Sequence, residues 1–173
     1  MKKVLRCVAA VCLLITTISV SDKLVAQTVP TVDIGLFASN DTLEVRVIAD
    51  ANFNEVVSNL VFTIRWDTAS GANLGEIDQV FPEIAYIPMA KSDSERVDGP
   101  FVYQTFAGFG FTPLSTFGAS WPAGQEVVIM RVPVENGNGT FCIVNDAFTG
   151  SVSVNGDYFI SLNGQNATDT IYN

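Results

Sequence analysis

The sequence contains no histidine among its 173 residues. Histidine is the commonest general base and the commonest zinc ligand, so its absence excludes every serine–histidine or cysteine–histidine hydrolase. Carboxylates, lysine and tyrosine remain as catalytic groups. A pair of carboxylates of the glycosidase kind stays open as an alternative, although most acidic residues fall in turns or at polar strand positions. The sequence therefore predicts a protein that is not an enzyme and holds no cofactor.

Cysteine is also scarce, and two of the three cysteines lie in the first 26 residues. This segment begins with Lys2, Lys3 and Arg6, continues as a mostly apolar run to about residue 18 and ends with the small residue Ala26. That order is typical of a secretory signal peptide, and the run is short for a membrane span. We expect a cleaved signal peptide over residues 1–26 and a single domain over residues 27–173. The alternative is an uncleaved N-terminal anchor helix.

Cleavage would leave Cys142 as the one cysteine, which excludes an intrachain disulfide. It lies in an apolar, strand-like run, so we expect a buried and unreactive thiol, with an intermolecular disulfide as the alternative. Cleavage would also leave 5 basic and 17 acidic residues, a net charge of −12. This charge argues against nucleic acid and against an anionic membrane surface as partners. It suits a protein that is secreted, at the cell surface or periplasmic.

No window of the sequence has a convincing helical period, whereas alternation at period two recurs. The clearest case is Val57–Asp67, in which Leu60, Phe62 and Ile64 fall on one side with Trp66, which we expect in the core. Further strands are predicted at residues 31–38, 43–50, 100–108, 126–134, 141–145 and 158–162, with an irregular edge strand at 84–91 and an exposed loop at 91–99. Turn residues separate these segments at the spacing of a sandwich. We therefore predict an all-β, jelly-roll-type sandwich of about eight or nine strands.

Aromatic residues concentrate in residues 101–121. In the loop part of this window, Phe109, Phe111 and Trp121 would present rings to solvent, as sugar-binding modules do when they stack on pyranose faces. These three are the candidate carbohydrate-binding residues. The alternative is that the rings fold back as a lid over one end of the sandwich.

The sequence gives no metal site. Residues Asp50, Asn52 and Asn54 begin like a calcium loop, but the sixth position is Glu55 and the twelfth is Val61 within a strand.

Short acceptor patterns also occur, and they matter only in a cell that modifies them. Sequons begin at Asn40, Asn138 and Asn166. Three tripeptides resemble the Asp-Ser/Thr-aliphatic acceptor of periplasmic O-glycosylation in some Gram-negative bacteria, with chance as the alternative explanation for each: Asp41-Thr42-Leu43, Asp67-Thr68-Ala69 and Asp169-Thr170-Ile171.

The strands at residues 43–47, Val57–Asp67 and 124–134 together resemble cohesin-type and related carbohydrate-binding-module-like domains of exported bacterial proteins. In those domains an aliphatic strand precedes one that alternates apolar residues and ends in Tyr/Trp-Asp, here Trp66-Asp67, and a glycine, here Gly124, leads into an aliphatic strand of the second sheet. The resemblance implies a nine-stranded jelly-roll sandwich. It carries over no binding residue because the matched positions are core strands.

These observations predict a secreted, non-catalytic binding module that recognises a glycan or an extracellular partner protein. A protein would dock on an exposed sheet face, and a glycan would bind near Phe109, Phe111 and Trp121. The alternatives are a small carboxylate-based glycan-degrading enzyme and a structural subunit of a surface assembly.

Overall fold

The structure, a computed structural model, describes residues 28–80 and 87–172. The predicted signal peptide lies outside the described residues. The described chain contains thirteen β-strands, two 3₁₀ turns and no α-helix, so the all-β prediction is confirmed. None of the described helical segments is long and apolar enough to cross a membrane. The strands are β1 Val32–Ser39, β2 Thr42–Ala49, β3 Val57–Asp67, β4 Asn73–Leu74, β5 Asp78–Gln79, β6 Met89–Lys91, β7 Arg96–Asp98, β8 Phe101–Phe109, β9 Glu126–Glu135, β10 Cys142–Ile143, β11 Phe159–Leu162, β12 Gln165–Asn166 and β13 Thr168–Tyr172.

The strands form two sheets. The first sheet has the order β13-β1-β2-β9-β4, and β5 also pairs with β9. The second sheet has the order β12-β11-β3-β8-β6, with β10 paired to β3 and β7 paired to β8. Every described strand pair is antiparallel except β1 with β13, which is parallel and joins Val32 to Thr168 and Gly35 to Tyr172.

The core lies between the sheets because each long strand buries one side of its alternation. In β2 every second residue from Leu43 to Ala49 is buried. In β3, Phe62 stacks on Phe106 of β8 with ring centroids 5.3 Å apart. Trp66 is buried as predicted, and its Nε1 donates to the backbone oxygen of Ala72 over 2.9 Å.

The strand count exceeds the predicted eight or nine because short segments of two or three residues pair at the sheet edges. One such segment, β6, lies in the predicted edge strand 84–91, of which residues 84–86 lie outside the described residues. Cys142 is half-buried rather than buried. The reason is its register: it pairs with Arg65, which points away from the core, and the Cys142 Sγ lies 3.9 Å from Arg65 Nη2.

Candidate binding surface

The outer face of the second sheet is the candidate functional site. Strand β3 buries Leu60, Phe62 and Ile64, so the intervening residues of β3 point away from the core. Because β8 and β11 flank β3, their outward residues lie beside those of β3.

At one end of this face, two exposed rings flank two residues of β3. Asn59 pairs with Phe109 of β8, and Val61 pairs with Ala107 of β8 on one side and Phe159 of β11 on the other. Phe109 is 56% exposed and Phe159 is 38% exposed. These five residues are named the Phe109–Phe159 surface: Asn59, Val61, Ala107, Phe109 and Phe159.

A cavity of about 430 Å³ opens beside Phe159. Its lining includes Asn59, Asn155 and Asp157. The Asn59 Oδ1 atom is shielded from solvent and has no hydrogen-bond partner among the described residues. A shielded acceptor without a partner costs about 1–3 kcal/mol, so a bound molecule that reorients the Asn59 amide and supplies a donor would remove this cost.

The other end of the face is covered by the chain between β10 and β11, residues 144–158, named the covering loop. Its Asp146 Oδ2 lies 3.0 Å from Arg65 Nη1 and accepts from the Tyr103 hydroxyl over 3.2 Å. The Phe148 ring packs on Tyr103 with centroids 4.2 Å apart, and the Arg65 guanidinium lies 4.3 Å from the centre of the Phe101 ring. These contacts leave the Phe109–Phe159 surface as the open part of the face.

The electrostatics of the covering loop favour an ionised Asp146. Burial alone would raise the pKa of this carboxyl, but the backbone N–H groups of Thr149 and Phe148 donate to it. Together with Tyr103 and Arg65 they outweigh burial and hold the pKa of Asp146 below its usual value. The loop is therefore tied to the sheet by a charged group that stays ionised into the acid range.

The structure separates the three predicted carbohydrate-binding residues. Phe109 lies on the sheet face, and Phe111 follows β8 with 88% of its surface exposed. Trp121 is 0% exposed, because its backbone pairs with Phe53 in both directions and its ring packs near the Phe53 ring. Trp121 therefore does not present its ring to solvent, and carbohydrate binding stays a prediction for Phe109 and Phe111.

Sequence reasoning did not single out Asn59 and Phe159. The alternation in Val57–Asp67 and in the predicted strand at 158–162 places both residues opposite the core positions, so a signal was present. Their proximity depends on the pairing of β3 with β11, which are about 100 residues apart in the chain.

The calcium-like residues have structural roles. Asp50 accepts hydrogen bonds from the backbone N–H and the hydroxyl of Thr31, and Asn52 Oδ1 accepts from the backbone N–H of Ala123. Among the described residues, no three histidine, cysteine, aspartate or glutamate side chains are grouped so that they could hold a metal ion.

Each basic side chain in the described part of the chain has an internal partner. Arg46 pairs with Glu44 and Glu126, and Arg131 pairs with Glu44. The other three are held by Asp146, by Asp93 and by the backbone oxygen of Leu74, and they are Arg65, Arg96 and Lys91. Four of these five side chains are in ion pairs, and the charges left for a partner are therefore mostly acidic.

Comparison with known proteins returned similarities among solved structures only: no protein-family model matches the chain, and no curated protein is similar to it. One similar structure is a dockerin–cohesin complex solved at pH 5.5, with 12% identity, a TM-score of 0.41, and coverage of 82% of this chain and 95% of that chain. Another is a non-cellulosomal cohesin from the hyperthermophilic archaeon Archaeoglobus fulgidus, with 9% identity, a TM-score of 0.34, and coverage of 83% and 87%. Both of these structures contain a cohesin, the kind of domain that the strands at residues 43–47, Val57–Asp67 and 124–134 were expected to resemble.

Proposed function

We propose that the chain is a non-catalytic module that binds a partner protein on the Phe109–Phe159 surface. The observation that carries this proposal is an open sheet face on which the exposed Phe109 lies beside Asn59 and the exposed Phe159 lies beside Val61, with the Asn59 Oδ1 left unpaired. Protein interfaces commonly centre on aromatic residues that exclude water from a few buried polar contacts. A partner that covers both rings and donates a hydrogen bond to Asn59 would complete such an interface.

The charge distribution specifies the partner further. Because acidic residues outnumber basic ones by 17 to 5 in residues 27–173, attraction over longer distances favours a partner with a basic surface. Asp157 at the rim of the cavity adds a carboxylate next to Asn59. A lysine or arginine of the partner is the donor that fits this chemistry.

We also infer that the protein acts outside the cytoplasm, at the cell surface or in the extracellular medium. The basic, apolar and small-residue order of residues 1–26 and the strongly acidic mature composition support this. The test is to fractionate the source cells and to detect the protein in each fraction with an antibody against residues 27–173. A cytosolic protein that still carries residues 1–26 would contradict export.

Binding is tested in two steps. Proteins captured from the cell surface and culture medium by the wild-type domain are purified singly and titrated by calorimetry. Phe109→Ala and Phe159→Ala should each reduce the affinity for a true partner about tenfold or more, which corresponds to about 1.4 kcal/mol of binding free energy. The control is Val97→Ala on β7, an exposed apolar residue outside the surface, which should bind like the wild type. A partner that binds all three variants and the wild type equally would contradict the proposed surface.

A glycan ligand remains the second candidate because Phe109 and Phe111 both expose their rings. Affinity electrophoresis in a panel of polysaccharides separates the two proposals. Retardation that is lost in Phe111→Ala and kept in Phe159→Ala would favour a glycan, and no retardation by any polysaccharide would remove this candidate. Turnover of a glycan, abolished by single Asp or Glu substitutions, would instead establish an enzyme.

A further inference from the structure

The binding proposal leaves the three Asp-Thr-aliphatic tripeptides unexplained, and the structure distinguishes among them. We propose that Thr68, in Asp67-Thr68-Ala69, is an acceptor for an O-linked glycan. This proposal is independent of the Phe109–Phe159 surface.

Thr68 lies where β3 ends and the chain turns. The first 3₁₀ turn, Thr68–Ser70, begins directly after Asp67. It is followed by Gly71, which adopts the left-handed conformation with a φ of 66°. All three residues of the tripeptide are exposed. The Asp67 carboxylate has no hydrogen-bond or ion-pair partner among the described residues, so a transferase that recognises aspartate can reach it.

The Thr68 hydroxyl can be modified at little cost to the fold. Its Oγ1 donates to the backbone oxygen of Pro100 over 3.0 Å, and the Thr68 backbone N–H donates to the same oxygen over 2.9 Å. After glycosylation the Pro100 oxygen would still accept from the backbone N–H. No buried acceptor is left without a donor.

The other two threonines are less suitable. The Thr170 hydroxyl donates to the Asp33 carboxylate over 2.6 Å from within β13, so modification would remove a hydrogen bond to a charged group. Thr42 is half-buried at the start of β2, where it pairs with Pro133 of β9. Exposure and hydrogen bonding therefore both favour Thr68.

The reaction requires an activated sugar donor, which we take to be a sugar linked to a lipid or nucleotide phosphate. The Thr68 Oγ1 forms a bond to the anomeric carbon while the bond between that carbon and the phosphate oxygen breaks. The phosphate leaves with the bonding electrons, and the hydroxyl proton passes to a base of the transferase. Oxidation states do not change.

The position of Thr68 keeps the glycan away from the proposed interface. Asp67 and Asn59 stand at opposite ends of β3, and eight residues of strand span roughly 26 Å. A glycan at Thr68 therefore extends from the end of the sandwich that lies away from the Phe109–Phe159 surface.

The test is mass spectrometry of the mature protein purified from the cells that naturally make it. We expect an intact mass above that of the polypeptide and a glycopeptide that contains Thr68. Both Thr68→Val and Asp67→Asn should lose the whole added mass, since one removes the nucleophile and the other the recognised carboxylate. Thr116→Val, at an exposed threonine of the second 3₁₀ turn with no preceding aspartate, should keep it.

An unmodified wild-type protein would overturn the proposal, as would a glycan that persists in Thr68→Val or lies only at Thr42, at Thr170 or at a sequon. Circular dichroism of each variant shows whether it has kept the β-sandwich. Binding to a partner protein is measured on the same variants and should be unchanged, so failure of this proposal and failure of the binding proposal are distinguishable.

Discussion

At the scale of single residues, Asp146 connects the covering loop to the sheet through Arg65 and Tyr103. Its pKa is lowered in the folded protein, so its contribution to stability is present above the unfolded-state pKa of about 3.9 and is lost as pH falls through the folded-state pKa. We predict that Asp146→Asn lowers the unfolding free energy at pH 7 by about 1–3 kcal/mol. The difference from the wild type should shrink between about pH 5 and pH 2 in urea unfolding experiments.

The matched control for this prediction is Asp98→Asn. Asp98 is an exposed carboxylate of β7 that pairs in register with Phe101, beside the same sheet face. It has no side-chain partner among the described residues, so the substitution should change stability by less than about 0.5 kcal/mol. A wild type and Asp146→Asn that differ equally at every pH would contradict the role given to the ionised carboxylate.

Asn59 shows where sequence reasoning stops at this scale. The period-two pattern around Ile64 correctly places Asn59 on the outer face of β3. Whether its Oδ1 has a hydrogen-bond partner depends on the side-chain rotamer and on which strands lie on either side of β3. Neither property is encoded near position 59. The candidate site was predictable only as an exposed sheet face and a group of aromatic residues.

At the scale of elements, the long strands were predicted because each carries its own alternation. The predicted bounds of β3 agree with the structure, and those of β1, β2, β8 and β9 agree within a residue at either end. Strand β13 was not predicted, since Thr168–Tyr172 is largely polar and gains its order from parallel pairing with β1 at the other end of the chain. Trp121 was misleading because glycine, serine and proline around it indicate a loop, and that loop packs its ring inward.

The covering loop depends on one close approach to β3. The Thr63 hydroxyl donates to the Gly156 backbone oxygen over 2.7 Å, and a Cβ at Gly156 would lie 2.4 Å from Thr63 Oγ1 and 2.9 Å from Thr105 Oγ1. Since Thr63 is fully buried and β-branched, its side chain cannot move away freely. We predict that Gly156→Ala lowers the unfolding free energy by about 1–3 kcal/mol in urea unfolding.

Gly164→Ala is not a suitable control, because Gly164 has a φ of 75° that a side chain disfavours. Gly150→Ala is a better control because Gly150 lies on the same loop. A Cβ at Gly150 would lie 3.1 Å from the Asp157 carboxylate and 3.3 Å from the Asp146 backbone oxygen, so its contacts are less close than those at Gly156. Its cost should be clearly smaller than that of Gly156→Ala. Equal costs would show that the approach of the loop to β3 is not the cause.

At the scale of the whole molecule, the excess of acidic residues opposes folding through repulsion. Residues 27–173 carry 5 basic and 17 acidic side chains, so the acidic groups that repel one another outnumber the few ion pairs that salt would weaken. We predict that the melting temperature rises by ~2 °C or more between low salt and about 0.15 M NaCl, where the screening length is about 8 Å. Equal concentrations of KCl should act alike. A melting temperature that falls with either salt would show that ion pairs outweigh repulsion.

The parallel pairing of β1 with β13 has a mechanical consequence. Tension applied between Thr28, just before β1, and Tyr172, at the end of β13, would pull the two strands in opposite directions along their shared axis. The backbone hydrogen bonds between them would then carry the load together instead of opening one after another. Such a geometry suits a binding module that must stay folded when mechanical force acts between its two ends.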